Sequence, residues 1–391
     1  MGEVVLVSGA RTAIGRFGGA FKDTPASDLA AVVIRAAVER AGIQPAQVDQ
    51  VILGCVGQVM EDAYIARHAA VKAGIPIEVP AYTVNRICGS GLEAINTAAR
   101  WIECGDAEVV VAGGVENMSM QPYYVRYARF GYRLNHGVLE DGIQHLLGDP
   151  FSKVPMGITA ENLAEKFGVS RQEQDEVALR SQERAARAIA EGRFRDEIVP
   201  VEVRNGRETV VVDTDEHPRQ TTLEKLAALK PAFKEGGSVT AGNASGINDG
   251  AAAVVVMSRK KAEELGVKPR LRMVARAEHG VEPSIMGSGP IPAIQKVMKK
   301  AGLTVDQMDV IELNEAFASV AAACSNALRL DPEKTNPNGG AIALGHPIGA
   351  TGAILTVKTM YELERRGGRY GLVSLCIGGG QGIATIFERV S

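Results

Sequence analysis

This sequence of 391 residues lacks the features that mark several large classes of protein. Its five cysteines are an odd number without CxxC spacing, and its six histidines are scattered, so neither a disulfide framework nor a metal site is indicated. The net charge of -3 gives no electrostatic footprint for nucleic acid. No apolar run reaches the length of a membrane span. These absences favour a cytoplasmic protein with reduced thiols that binds neither nucleic acid nor membrane.

Length and pattern together predict an α/β protein of two or three domains. Short β-branched runs alternate with alanine-rich stretches up to about residue 112, and the alternation resumes after residue 251. This alternation is typical of βαβ units and predicts a mostly parallel sheet. The middle third interrupts the alternation with aromatic residues, arginines and charged helices, so we expect an inserted region there rather than sheet.

The two halves share a pattern that suggests duplication, because in each a helix leads into an apolar strand and then glycines, at 109–114 and at 372–380. Two α/β halves packed face to face would bring strand ends and helix N-termini beside one cleft.

Cys88 is the first candidate for chemistry, within the segment NRICGSG at 85–91. Residues 82–85 are predicted as a strand and residues 91–104 as a helix, which places Cys88 in the turn between them. A helix N-terminus beside an imidazole lowers the pKa of a thiol and makes it nucleophilic. A buried inert thiol is the plain alternative.

The same segment imitates a dinucleotide-binding fingerprint, because Gly89 and Gly91 follow a strand and Ala94 comes three residues later. The match is weak. The acidic residue expected about 20 positions further on is displaced, since Glu116 lies beyond a glycine pair.

Three further side chains lie beside strand ends or glycines. His346 is in a segment, 339–352, that is too glycine-rich for a helix, and a hydrogen-bonding role in a turn is its alternative. Asn314 closes a strand and could cap the helix predicted at 315–328. Cys376 ends the last apolar strand before three glycines whose amides could receive a ligand, or it could simply pack. Together with Cys88, these residues favour an acyl-transfer site.

Several segments resemble the thiolases, acyl-CoA acetyltransferases that condense or cleave coenzyme A (CoA) thioesters, and the resemblance covers nearly the whole chain. It is carried in order and position by 84–92, 229–233, 239–246, 314–318, 340–352 and 376–382. The resemblance implies duplicated βαβαβαββ halves in a five-layered αβαβα arrangement with an inserted loop domain. The implied domains are N-terminal 1–118 plus 247–268, a loop domain 119–246 that grips CoA, and C-terminal 269–391.

The resemblance also implies a ping-pong Claisen condensation of two acetyl-CoA molecules. Cys88 would take an acetyl group after activation by His346, and Cys376 would remove the α-proton of the second acetyl group. The enolate would be held by His346 and a water on Asn314. The tetrahedral oxyanion would be held by the amides of Cys88 and Gly378, donors whose loss typically costs roughly 100- to 1000-fold in rate.

Binding expectations follow from the same resemblance. CoA thioesters would be substrates, with no metal and no tightly bound cofactor, and the CoA-contacting residues would be Ser245, Ala244, Leu147, Met156, Ala316 and Phe317. For Leu147 and Met156 ordinary core packing is an equal alternative. A homodimer or homotetramer is expected, with the Tyr- and Arg-rich segment 123–136 as either a tetramer contact or a solvated loop.

One departure from the family pattern concerns acyl-chain length. Pro155 stands where many short-chain biosynthetic thiolases carry histidine, and proline supplies neither an imidazole nor a backbone donor. The leading hypothesis is an acetyl-CoA C-acetyltransferase, and a degradative 3-ketoacyl-CoA thiolase of longer chain preference is an alternative. A catalytically silent acyl-CoA- or lipid-binding relative is a third, although it should lack catalytic residues that this chain retains.

Overall fold

The computed structural model describes residues 2–390. Its strands are β1 Val4–Arg11, β2 Gly15–Arg16, β3 Gln50–Gly54, β4 Ala81–Val84, β5 Val109–Asn117, β6 Tyr123–Val125, β7 Leu139–Asp141, β8 Val201–Asn205, β9 Glu208–Val212, β10 Asn248–Ser258, β11 Leu271–Gly280, β12 Val310–Leu313, β13 Tyr370–Ile377 and β14 Gln381–Arg389. Its α-helices are α1 Ala26–Ala41, α2 Ile65–Lys72, α3 Ser90–Cys104, α4 Gly142–Leu146, α5 Met156–Phe167, α6 Arg171–Ala190, α7 Leu223–Ala227, α8 Arg259–Glu264, α9 Pro290–Ala301, α10 Ala318–Leu328, α11 Ala341–Leu344 and α12 Thr351–Arg366.

Ten strands form one continuous sheet that consists of two half-sheets. The first half runs β1-β10-β5-β3-β4 with β2 beside β10, and the second runs β12-β13-β14-β11. The halves join through a short antiparallel contact between β1 and β11, where Val5 pairs with Arg272 and Leu6 with Leu271. The two half-sheets therefore meet at the contact between β1 and β11.

Helices form three layers around the two half-sheets. One outer layer contains α1 and α2, which pack on the first half-sheet, and the other outer layer contains α9 on β11 and β14. Between the half-sheets lie α3 and α12, which contact each other and strands of both halves. Because a helix enclosed by two sheets has no solvent face, α12 is buried at almost every position from Thr351 to Leu363.

Four strands of each half correspond. In spatial order β3, β5, β10 and β1 correspond to β12, β13, β14 and β11, with α3 and α12 in equivalent places. In the second half the counterpart of β4 is reduced to one parallel bridge, where Ile311 of β12 pairs with Thr335, and the short helix α11 precedes α12. The predicted duplication is present, with the third strand of the second half shortened to this bridge.

Three local predictions need correction. The sheet is not mostly parallel, because only β3–β4, β3–β5 and β12–β13 are parallel pairs. The middle third does contain sheet, as two small hairpins, β6–β7 and β8–β9. Residues 315–317 are extended rather than helical, since Phe317 pairs with Ala244 before α10 begins, and the segment 339–352 holds the helix α11.

The fold does not test the boundaries proposed for the three domains, which stay a prediction. In the part of the chain that the structure describes, no helix combines the length and the apolar character that crossing a membrane requires. The segment 123–136 carries exposed aromatic side chains, which agrees equally with a tetramer contact and with a solvated loop.

Candidate active site

Both half-sheets and the inserted region contribute to one pocket. It is lined by Ile87, Cys88, Leu146, Leu147, Met156, Ser245, Met286, Ala316, Phe317, His346, Ile348 and Gly378. The other predicted residues adjoin this lining: Asn314 contacts His346, Ala244 pairs with Phe317, and Cys376 lies near enough to Cys88 for their charges to interact. The structure thus brings together every side chain that the sequence put forward.

The turn before α3 is strained at the residue that precedes Cys88. Ile87 has φ 45°, in the left-handed region that a β-branched residue rarely occupies. Ser90 fixes this turn, because its Oγ accepts a hydrogen bond from the amide of Arg86 at 2.8 Å and donates to the carbonyl of Ile87 at 2.7 Å. Such strain persists only where surrounding contacts enforce it, and here it presents Cys88 to the pocket.

Burial controls the charge state of Cys88. Loss of water around the thiol raises the pKa of Cys88 to about 11, although the residue itself is only half-buried. Hydrogen bonds from the amides of Gly378 and of Cys88 itself lower the pKa, and the carboxylate of Glu116 raises it. The prediction that the turn lowers the pKa of this thiol is therefore wrong, because desolvation outweighs the amides.

His346 is held in one tautomer by its neighbours. Its Nδ1 lies 2.7 Å from Thr351 Oγ1, and that hydroxyl also lies 2.9 Å from the carbonyl of Pro347. Since the single hydroxyl proton is donated to the carbonyl, Thr351 accepts from Nδ1–H, which leaves Nε2 of His346 as an acceptor. Burial lowers the pKa of His346 to about 4, so the imidazole is neutral at pH 7.

Asn314 is fully buried and faces His346. Its Nδ2 lies 3.5 Å from His346 Nε2, and its Oδ1 has no hydrogen-bond partner within residues 2–390. A buried amide oxygen without a partner is costly, and a bound water or ligand would satisfy it. Phe317, not Asn314, caps α10, so the alternative of a simple helix cap is wrong.

Cys376 occupies a different environment from Cys88. It lies within β13, opposite Gly382 of β14, and is fully buried. Burial in the first place, and then the nearby thiol of Cys88, raise the pKa of Cys376 well above its usual range. The following turn needs glycine: at Gly380, φ is 85° and a Cβ would lie 2.3 Å from the carbonyl of Val281.

Close backbone packing joins the loops from the two halves. A Cβ on Gly91 would lie 2.9 Å from the carbonyl of Gly349, and a Cβ on Gly352 would lie 2.3 Å from the amide nitrogen of Leu92. These glycines therefore let the first turns of α3 and α12 touch through their backbones. Because α3 follows Cys88 and α12 follows His346, this contact helps to set the distance between the two side chains.

The inserted region forms the outer wall of the pocket. Ser245 donates its amide to the carbonyl of Ala316 at 3.0 Å, and Phe317 meets Phe233 edge to face with ring centroids 6.3 Å apart. A Cβ on Gly157 would lie 2.2 Å from the ring of Phe233, so α5 packs tightly against this aromatic pair. Of the predicted CoA-contacting residues, Ala244 pairs with Phe317, and the other five line the pocket that contains Cys88.

Sequence reasoning missed several residues of the site. Thr351 orients His346, while Leu146, Met286 and Ile348 complete the lining. The GHPxGxxG pattern contains Thr351 and Ile348 and could have indicated them. Nothing in the sequence signals Met286, because it reaches the pocket from a 3₁₀ segment, Pro283–Ser288, far along the chain.

Within residues 2–390 no group of three or more His, Cys, Asp or Glu side chains has the arrangement of a metal site. The expectations of no metal and no tightly bound cofactor stay predictions.

Two family models match the chain. The one described as "Thiolase, N-terminal domain" matches residues 4–260, and the one described as "Thiolase, C-terminal domain" matches residues 267–389. A protein named acetyl-CoA acetyltransferase from Syntrophomonas wolfei is 52% identical over 99% of each chain. A protein named beta-ketothiolase BktB from Cupriavidus necator is also 52% identical over 99% of each chain.

Solved structures agree with these matches. An acetyl-CoA acetyltransferase of Bacillus anthracis has a TM-score of 0.98 and 50% identity, covering 100% of this chain and 99% of its own. Human mitochondrial 3-ketoacyl-CoA thiolase, solved in complex with CoA, has a TM-score of 0.96 and 47% identity, covering 100% of this chain and 98% of its own. The predicted fold class is thereby confirmed.

Proposed function

The chain belongs to the thiolase family, and we propose that it is an acetyl-CoA acetyltransferase that reversibly condenses two acetyl-CoA molecules to acetoacetyl-CoA and CoA. Full-length relatives at about half identity bear that name. CoA thioesters are its substrates, and a homodimer or homotetramer is the expected assembly, which light scattering will measure.

One observation carries the proposal. His346 donates Nδ1–H to Thr351, and its Nε2, which faces Asn314 Nδ2 at 3.5 Å, carries a lone pair in a pocket that also contains the protonated thiol of Cys88. A neutral imidazole beside a neutral thiol is a general base and a nucleophile before reaction, and their proton moves only as the new bond forms.

Acylation then follows from this starting state. Nε2 of His346 takes the thiol proton while the sulfur of Cys88 attacks the thioester carbonyl of acetyl-CoA. The amides of Cys88 and Gly378 stabilise the oxyanion. The intermediate collapses, the bond to CoA sulfur breaks, and the leaving CoA thiolate takes the proton of Cys376. The products are free CoA, acetyl-Cys88, a His346 imidazolium and a Cys376 thiolate.

Condensation uses both charges that acylation leaves behind. The Cys376 thiolate removes the α-proton of a second acetyl-CoA, and the Nε2–H of the imidazolium, with a water held by Asn314, stabilises the enolate oxygen. The carbanion attacks acetyl-Cys88, the bond from carbonyl to sulfur breaks, and Cys88 recovers its proton from His346. Acetoacetyl-CoA leaves, and every group has returned to its starting protonation state.

The test is to incubate the protein with acetyl-CoA alone, quench in acid and locate the acetyl group by peptide mass spectrometry, with Cys88→Ala as control. Acetyl on Cys88 that disappears when free CoA is added supports the ping-pong mechanism. Absence of an adduct while CoA still binds would instead support a silent binding protein. Thiolysis of 3-ketoacyl-CoA substrates of increasing length then measures chain preference and separates the acetoacetyl-CoA enzyme from a longer-chain thiolase.

A further inference from the structure

Glu116, at the end of β5, is a fully buried carboxylate held by backbone amides. Its Oε1 accepts from the amide of Gly57 at 2.8 Å, and its Oε2 accepts from Val56 at 3.1 Å and Gly349 at 2.9 Å. Among residues 2–390 no Lys, Arg or His side chain forms an ion pair with it. Burial raises the pKa of Glu116, and these three amide donors lower it because they stabilise the ionised carboxylate.

This carboxylate links segments that are far apart in sequence. Val56 and Gly57 follow β3 in the first half, whereas Gly349 belongs to the segment between His346 and α12. The approach at Gly349 is so close that a Cβ there would lie 2.7 Å from Glu116 Oε2. The carboxylate therefore holds the His346 segment against the first half-sheet.

The same contact reaches the nucleophile through the backbone. Gly349 is the residue whose carbonyl touches Gly91 of α3, one turn after Cys88. The carboxylate of Glu116 also raises the pKa of the Cys88 thiol, which opposes formation of the thiolate. Besides Glu116, the titratable groups around the thiol are His346, which shares its pocket, and Cys376. Cys55, whose Sγ lies 3.8 Å from Glu116 Oε1, is the titratable neighbour on the other side.

We propose that Glu116 is a positioning residue that fixes the separation of Cys88 and His346 across the two halves. This inference rests on the proposed function, since it concerns the same pair of side chains.

Two variants test whether the carboxylate acts through its contacts. Glu116→Asp keeps the charge but is one methylene too short to reach Gly349 while β5 stays in place, so kcat should fall at least about tenfold with KM for acetyl-CoA changed less than about threefold. Glu116→Gln keeps the length of the side chain but replaces one accepting oxygen with an N–H group that faces the backbone amides, so its kcat should also fall while KM again changes less than about threefold.

Glu161→Gln is the matched control, because Glu161 is also a buried carboxylate that accepts backbone amides, from Ser238 and Val239. It should leave kcat within about twofold of the unmodified protein. Circular dichroism of each variant normalises the rates to folded protein. The inference is overturned if Glu116→Asp keeps kcat within about twofold, or if Glu161→Gln lowers kcat as much as Glu116→Asp does. Absence of acetyl-Cys88 in the unmodified protein would refute the proposed function instead.

Discussion

Cys88 and Cys376 lie on the two repeated halves, but the fold treats them differently. Cys88 follows a strand, sits in a strained turn at the start of α3, and opens to the pocket. Cys376 lies inside β13, paired with β14 and fully buried. A turn can expose a sulfur to an incoming carbonyl, whereas a strand holds a sulfur at a fixed position within the protein. One duplicated architecture thus offers a half-buried turn for the proposed nucleophile on one half and a buried strand for the proposed proton carrier on the other.

Replacing Cys88 should have the largest effect. In Cys88→Ala no acetyl-enzyme can form, and both condensation and thiolysis should fall at least about 10,000-fold because the covalent route is lost. Steady-state thiolysis of acetoacetyl-CoA measures this loss. Residual activity above that level would show that the thiol on the first half is not the nucleophile.

Replacing Cys376 should separate the two half-reactions. Cys376→Ala should still give acetyl-Cys88, whereas condensation should fall roughly 100- to 10,000-fold because the proton carrier for the α-carbon is lost. Quenched acetylation and steady-state condensation, measured on the same preparation, give the two rates. Equal losses in both would mean that the two cysteines do not have distinct roles.

The pH dependence of acylation should report on His346. The imidazole must be neutral to accept a proton, and burial lowers the pKa of His346 to about 4. The rate of Cys88 acetylation should therefore not fall between pH 8 and about pH 5, and should drop about tenfold per unit as the pH falls below about 4. Rapid pH jumps with acid quench avoid unfolding. A fall centred near pH 6.5 would indicate a solvated imidazole instead.

The smallest expected effect concerns the strained turn. Leucine at position 87 keeps the volume of isoleucine but removes the β-branch that crowds a left-handed backbone. Ile87→Leu should therefore leave the free energy of unfolding unchanged or raise it by at most about 1 kcal/mol. Urea denaturation measures this free energy of unfolding. A decrease of more than about 1 kcal/mol in the free energy of unfolding would show that packing, not backbone strain, dominates at this turn.

Local features of the fold were predictable from sequence. The strand before Cys88 and the helix after it follow from periodicity and glycine placement, and their bounds agree with the structure to within one residue. Long-range pairing was not predictable, which is why the antiparallel contacts of β1, β10, β11 and β14 were missed. Phe317 delays the start of α10 because it pairs with Ala244, a partner that helical spacing cannot reveal.

The candidate site likewise combines local features that the sequence shows with long-range contacts that it does not. Cys88, His346, Asn314 and Cys376 were found because each lies beside a glycine-rich turn or a strand end, and their catalytic roles stay predictions. Glu116 was noticed only as an acidic residue at the wrong spacing for dinucleotide binding. Its true contact, with Gly349, joins positions 233 residues apart, so it became visible only in the folded chain.

The position of β14 sets an order of events during synthesis of the chain. This strand pairs with β13 on one side and with β11 on the other, so it closes the second half-sheet. A nascent chain that has not yet produced residues 381–389 leaves β13 without this partner and Cys376 without its cover. Because domains fold largely as they emerge, we expect the first half-sheet to begin folding before this strand exists. Condensation, which needs Cys376 in the proposed mechanism, then becomes possible only after residues 381–389 have been made.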